Sequence, residues 1–166
     1  MGVSVPRWLR GTFVVAGVYN VLWGLYAAID PQWFFRFSGL EPLNHPEIFA
    51  CLGMVIGLYG ILYLEVARRP ERGFLIAAVG LAGKVLGPLG LAVLIGTGQW
   101  PLRSIVLCLT NDLIWWAPFS IYLVKTWPAF VRDIRAPDPR ERGPKDERSA
   151  AADLAGVAEN SLEGRG

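Results

Sequence analysis

The chain has 166 residues, of which 53% are hydrophobic and 18% charged, a balance too apolar for a disordered chain or an ordinary soluble domain of this size. Its 16 Lys and Arg stand against 14 Asp and Glu, and half of these charges lie from Phe130 onward, so the earlier part is more apolar than the average. Cys51 and Cys108, far apart and with His45 as the one histidine, exclude a disulfide scaffold, a zinc site, an iron-sulfur cluster and bis-histidine haem.

Gly11 to Ile29 carries no formal charge and is near the length that crosses a hydrocarbon core about 30 Å thick. Arg7 and Arg10 ahead of it imitate a signal peptide, but its length and the residues Tyr19, Asn20 and Trp23 favour a retained helix. The connection that follows contains Trp33, Phe34, Phe35 and Phe37 around Arg36, a mixture suited to the headgroup region, and is expected to lie along the interface. Asn44-His45-Pro46-Glu47 reads as a solvated loop rather than a metal site.

The second span runs from Ile48 to about Val66 and is free of charge as far as Leu64; Glu65 at its end should pair with Arg68 or Arg69. Phe74 to Gly96 carries one charge, Lys84, and Ser104 to Val124 carries one, Asp112. Neither has the polar stripe of a surface helix. The expected fold is therefore all-α, a four-transmembrane-helix bundle over residues 1–129 with helices at about 11–29, 48–66, 74–96 and 104–124. A water-soluble bundle would need charged outer faces that these segments lack. Cys51 and Cys108 fall at similar depths and read as two small buried hydrophobes rather than a bond.

Residues 130–166 turn to Pro, Arg, Asp, Glu and Gly and are expected to form a disordered cytoplasmic tail. Its charges nearly balance, which gives it no basic field for nucleic acid. Arg7 and Arg10, then Arg68, Arg69 and Arg72, then Lys125, Arg132 and Arg135 cluster on one side of the spans, against Arg36 and Arg103 on the other. The excess places both termini in the cytoplasm. No convincing internal repeat supports an inverted-repeat transporter.

The candidate site is a polar layer at mid-membrane. At 1.5 Å per residue Lys84 lies roughly 16 Å along its helix, and Asp112, entered from the opposite side, comes within a few ångströms of the same depth. Each costs about 2.5 to 3.5 kcal/mol at the centre of a membrane helix, so something must compensate both. The simplest arrangement is a Lys84–Asp112 pair turned into the bundle, with Asn20, Asn111 and Tyr59 hydrogen-bonded around it and Trp23, Trp115 and Trp116 as an aromatic wall. Such a site suits a flat amphipathic ligand such as a quinone head. A pair that serves only to lock helix register is the competing reading. Gly53-x-x-x-Gly57, Gly60, Gly17 and Gly24 permit close helix approach, as do Gly80, Gly83, Gly87 and Gly90 around Lys84. Pro88 frees the carbonyl of Lys84 and should kink its helix there.

Tyr19-Asn20, Trp23-Gly24, Gly53-Met54, Gly57-x-Tyr59-Gly60, Gly83-Lys84-x-x-Gly87-Pro88-x-Gly90 and Asn111-Asp112-Leu113-Ile114-Trp115-Trp116-x-Pro118-Phe119 together resemble a set of small bacterial four-helix membrane proteins and the DoxX-like group. The resemblance implies an inner-membrane protein that accompanies oxidoreductases or quinone-linked enzymes. The chain has no redox cysteine pair, so a direct electron-transfer role is not expected. The leading expectation is an integral membrane binding or accessory protein whose Lys84/Asp112 layer holds a small amphipathic ligand or relays a proton for a partner oxidoreductase. A small transporter acting as a homo-oligomer, or a membrane enzyme using Asp112 as acid or base, are the alternatives.

Overall fold

The computed structural model describes residues 4–136. Residues 4–130 belong to one unit; of a second that begins at Val131, the end of the last helix and Ala136 are described. The rest of the predicted tail lies outside the described residues.

Helix α1 (Arg7–Ile29) leads through a short helix α2 (Trp33–Ser38) to α3 (Pro46–Arg68) and α4 (Phe74–Gly96). The chain then runs as one helical rod from Leu102 to Arg135: a 3-10 turn, α5 (Ile105–Cys108), a π turn at Leu109–Leu113, and α6 (Ile114–Arg135). Four helices are long and apolar enough to cross a membrane: α1, α3, α4 and the rod. Only 33, 17, 11 and 22% of their most apolar windows are buried. Val15, Leu22, Leu58, Leu86 and Val124 all stand open. In water that surface would be a continuous apolar coat; in a bilayer it is the lipid face of a multi-pass membrane protein.

The tightest packing joins α1 to α3, and glycine allows it. A Cβ on Gly24 would fall 2.4 Å from the carbonyl oxygen of Gly53 and 2.6 Å from the nitrogen of Gly57, and one on Gly60 would meet the carbonyl of Gly17 at 2.6 Å. Backbone therefore lies on backbone, as the Gly-x-x-x-Gly spacing predicts.

Two apolar plugs bracket the middle of the bundle. At the Arg7 end Leu9, Phe13, Tyr63, Val66, Trp115, Phe119 and Tyr122 form a buried cluster, in which the Phe13 and Phe119 rings lie 4.5 Å apart. Tyr122 donates to the Pro70 carbonyl at 2.6 Å and so pins the α3–α4 connection. At the Asp30 end Trp23, Trp33, Phe34, Phe35, Phe49 and Trp100 pack together.

The second plug takes in part of the Trp33–Phe37 segment: Phe35 is buried, Trp33 and Phe34 are half-buried, and Phe37 stays exposed. Arg103 donates from Nε to the Ser38 carbonyl at 2.5 Å. Gly39, at φ 65°, leaves room for the guanidinium, since a Cβ there would overlap it. Gln32 donates to the Leu43 carbonyl and accepts from the Leu43 N–H, which closes the connection between α1 and α3.

The last helix also outruns its predicted end at Val124. It passes Pro128 and reaches Arg135, so residues 130–135 are helix rather than tail. Phe130 stacks on Phe74 at 4.1 Å and Trp127 packs on the same ring, contacts that offset the hydrogen bond lost at proline. At the same end α1 begins at Arg7, and Arg10 donates to the Ala67 carbonyl at 3.0 Å. Glu65 pairs with both Arg68 and Arg69, as expected. Cys51 and Cys108 are free thiols; Cys51 is exposed rather than buried, because α3 turns it away from α1.

Candidate functional site

Between the two plugs lies the polar layer. Lys84 and Asp112 are 5 and 8% exposed, and their charged atoms approach to 3.9 Å across α4 and the π turn. The pair faces into the bundle, as its composition requires. Its hydrogen bonding differs from the sequence-based expectation in detail. The ammonium donates to the backbone carbonyl of Asn111 at 2.6 Å, and the Asn111 side chain donates to the Asp112 carboxylate at 2.9 Å. Asn111 thus bridges the two charges through both its main chain and its side chain.

The local backbone explains this. In the π turn the N–H of Ile114 reaches back to the Leu109 carbonyl, one residue beyond the α-helical pattern. Widening of this kind shifts the neighbouring hydrogen bonds and is frequent where a helix carries function. Pro118, four residues beyond Ile114, removes another bond from the same stretch. On the facing helix Pro88 leaves the Lys84 carbonyl without its helical partner, and the Trp116 indole N–H donates to that oxygen at 2.9 Å. The helix continues unbroken to Gly96. Pro88 therefore creates an acceptor on α4 that Trp116 uses to tie α6 to the residue bearing the ammonium.

A cavity of about 380 Å³ opens beside the pair. Its wall includes Asn20 of α1, Tyr59 and Tyr63 of α3, Gly80, Gly83, Lys84 and Gly87 of α4, and Asn111 and Asp112. All four spans contribute. Gly87 lies beside the carboxylate, where a Cβ would stand in ordinary contact at 3.7 Å from the Asp112 Oδ2. Asn20, 3% exposed, keeps its Oδ1 without a hydrogen-bond partner among the described residues, and so does the Asn111 Oδ1.

The predicted residues separate accordingly. Lys84, Asp112, Asn111, Asn20 and Tyr59 share the cavity wall, although neither Asn20 nor Tyr59 hydrogen-bonds the pair. Trp115 lies behind Lys84 with its ring centre 5.9 Å from Nζ and packs on Tyr19. Trp116 acts on the Lys84 carbonyl rather than on the cavity. Trp23 belongs elsewhere: it packs on Trp33 and Phe49 in the plug at the Asp30 end. Sequence reasoning did not find Tyr63, whose ring meets Gly80 and lines the cavity; one helical turn beyond Tyr59, it was readable from the i, i+4 spacing. His45 contacts Glu47 at 3.1 Å in an exposed loop, and no cluster of metal-ligating side chains occurs among the described residues. Compared with protein-family models, curated proteins and solved structures, the chain matches none of them.

Proposed function

We propose that the protein is an integral membrane binding or accessory protein whose mid-membrane cavity holds the head of a small amphipathic ligand, quinone-like or lipid-like, or passes a proton on behalf of a membrane oxidoreductase partner. One observation carries the reading: two charged side chains, each costly in hydrocarbon, share the wall of an accessible cavity with an amide from a third helix. A pair that only locked register would be served by close packing on every side. The resemblance to DoxX-like proteins favours a bacterial inner membrane. The arginine distribution favours cytoplasmic termini, with the Lys84–Asp112 layer near the bilayer centre.

A thermal-shift panel of quinones and lipid-like amphiphiles in mild detergent tests this. At least one should raise the unfolding midpoint of the native chain, because ligand at a hundred times its Kd stabilises by about 2.7 kcal/mol. The same compound should leave a Lys84→Met/Asp112→Leu variant unmoved. Native mass spectrometry from gentle detergent should show a co-purified small molecule on the native chain alone. A panel with no shift, or equal shifts in both proteins, defeats the reading.

A further inference from the structure

The cavity has a direction as well as a wall. Along α3 its lining residues Leu52 and Val55 are 49 and 48% exposed, and on α4 Val79, nearer the Arg7 end of the bundle, is 54% exposed. Gly83 and Gly87 on the same side of α4 are exposed too, and a Cβ built on Gly83 meets nothing within 4 Å. All five lie inside helices long and apolar enough to cross a membrane. The opening therefore faces lipid tails between α3 and α4. The ends of the bundle are stopped by the buried cluster around Phe13 and by the aromatic cluster around Phe35.

The chemistry at the inner end restricts what can enter. Lys84 and Asp112 neutralise each other, so a phosphate or a quaternary ammonium would introduce one uncompensated charge into hydrocarbon. The pair still offers one group of each kind. Lys84 has three N–H donors, of which Asn111 takes one. Asn111 donates to the Asp112 Oδ1, the Cys108 thiol lies beside the same carboxylate, and the Oδ2 faces Gly87. A hydroxyl can accept from the ammonium and donate to the carboxylate. The Tyr59 and Tyr63 rings in the wall suit a flat head.

We infer that the cavity takes a single-chain amphiphile with an uncharged, hydroxyl-bearing head, which enters sideways between α3 and α4, sets its hydroxyl between Lys84 and Asp112, and leaves its chain in the bilayer. The inference rests on the binding function proposed above and adds the head chemistry and the route.

The test uses the full chain in phosphatidylcholine nanodiscs and a photoreactive 4-dodecylphenol with a diazirine beside the ring, with labelled residues mapped by mass spectrometry. Labelling is expected on the cavity wall. It should be competed by unlabelled 4-dodecylphenol at least tenfold better than by dodecyltrimethylammonium or dodecyl phosphate, and should fall at least tenfold in Lys84→Met. Gly83→Phe, built into open space at the mouth, and Val79→Trp, a second variant there, should each weaken long-chain labelling at least tenfold. Both variants should keep the helical circular dichroism and the monodisperse elution of the native chain in detergent, so that the labelling is read on folded protein. Equal competition by a charged-head probe overturns the head assignment, and full labelling in both mouth variants overturns the route. In either case Lys84-dependent binding would still uphold the broader binding reading. Absence of Lys84-dependent binding by every probe removes both.

Discussion

The distance between Lys84 and Asp112 permits a quantitative test of their interdependence. At 3.9 Å and an effective dielectric of about 20, two unit charges attract by about 4 kcal/mol. Each single substitution leaves the other charge buried, and breaking a buried pair by removing one partner costs about 3 to 5 kcal/mol. Lys84→Met strands the carboxylate and removes the donor from the Asn111 carbonyl; Asp112→Leu strands the ammonium and removes the acceptor from the Asn111 amide. The double variant strands no charge. Its destabilisation should fall short of the sum of the singles by about 2 to 4 kcal/mol, since residues in contact couple while distant ones add. Reversible unfolding in mixed detergent micelles, followed by helical circular dichroism, measures all four proteins under one condition. Additivity to within about 0.5 kcal/mol would mean that the two groups do not sense each other, and the pairing argument would fail.

Other consequences can be measured in the same way. Trp116→Phe leaves the Lys84 carbonyl without its indole donor and should cost about 1 to 3 kcal/mol; Pro88→Ala in that background restores a helical N–H to the same oxygen and should recover most of the loss in the same unfolding assay. Gly24→Ala drives a Cβ into the backbone of Gly53 and Gly57 and should destabilise by about 1 to 3 kcal/mol or more, whereas Gly90→Ala, with nothing near the new atom, should be neutral or stabilising by up to about 1 kcal/mol from helix propensity. At the membrane surface the hydrogen bond from Arg36, reinforced by its charge, holds the Asp30 carboxyl below the usual carboxylate range. A carboxyl lowered in the folded state contributes stability above its unfolded pKa of about 3.9 and loses it as pH falls through the folded value. The stability difference between the native chain and Asp30→Asn should therefore be constant near neutrality and shrink below about pH 4; a difference that grows on acidification would contradict the assignment.

The helices were legible in the sequence because their signal is collective. Runs of apolar residues of membrane-crossing length mark α1, α3, α4 and the rod whatever their neighbours do, and the helical rise alone brought Lys84 and Asp112 to one depth. Gly53-x-x-x-Gly57 was readable for a similar reason, since the spacing itself specifies a smooth face. What stayed hidden depends on contacts between distant residues. The partner of the carbonyl freed at Lys84 is Trp116, 32 positions away. The inward turn of Phe34 and Phe35 depends on Phe49 and Trp100. Trp23 is one turn from Asn20, close enough to suggest a shared site, yet its ring joins the plug at the Asp30 end. A residue's depth follows from counting, whereas its azimuth depends on the packing of every other helix. The π turn was invisible for a further reason: no residue type demands one, and its Asn111 carbonyl meets Lys84 on a distant helix.

The size of the cavity bears on how any ligand would bind. An unfilled hole of 380 Å³, at about 24 cal/mol per Å³, would cost about 9 kcal/mol, comparable to the whole stability of many folded domains. The exposed mouth lets lipid chains offset this cost, because Leu52, Val55 and Val79 continue the lipid-facing surface into the opening. Hydrocarbon near Lys84 and Asp112, however, satisfies neither the free donor nor the free acceptor. A ligand that replaces an acyl chain therefore gains little from its tail, since apolar contact is exchanged for apolar contact, and nearly all of its selectivity from the head. Lengthening the tail should raise partition into the bilayer without raising affinity measured per membrane-bound ligand, while removing the head hydroxyl should lower that affinity by at least the ~1 kcal/mol of one hydrogen bond. Matched alkylphenols and alkylbenzenes in nanodiscs separate the two contributions. Equal affinity for both series would show that the tail, and not the Lys84–Asp112 pair, selects the occupant.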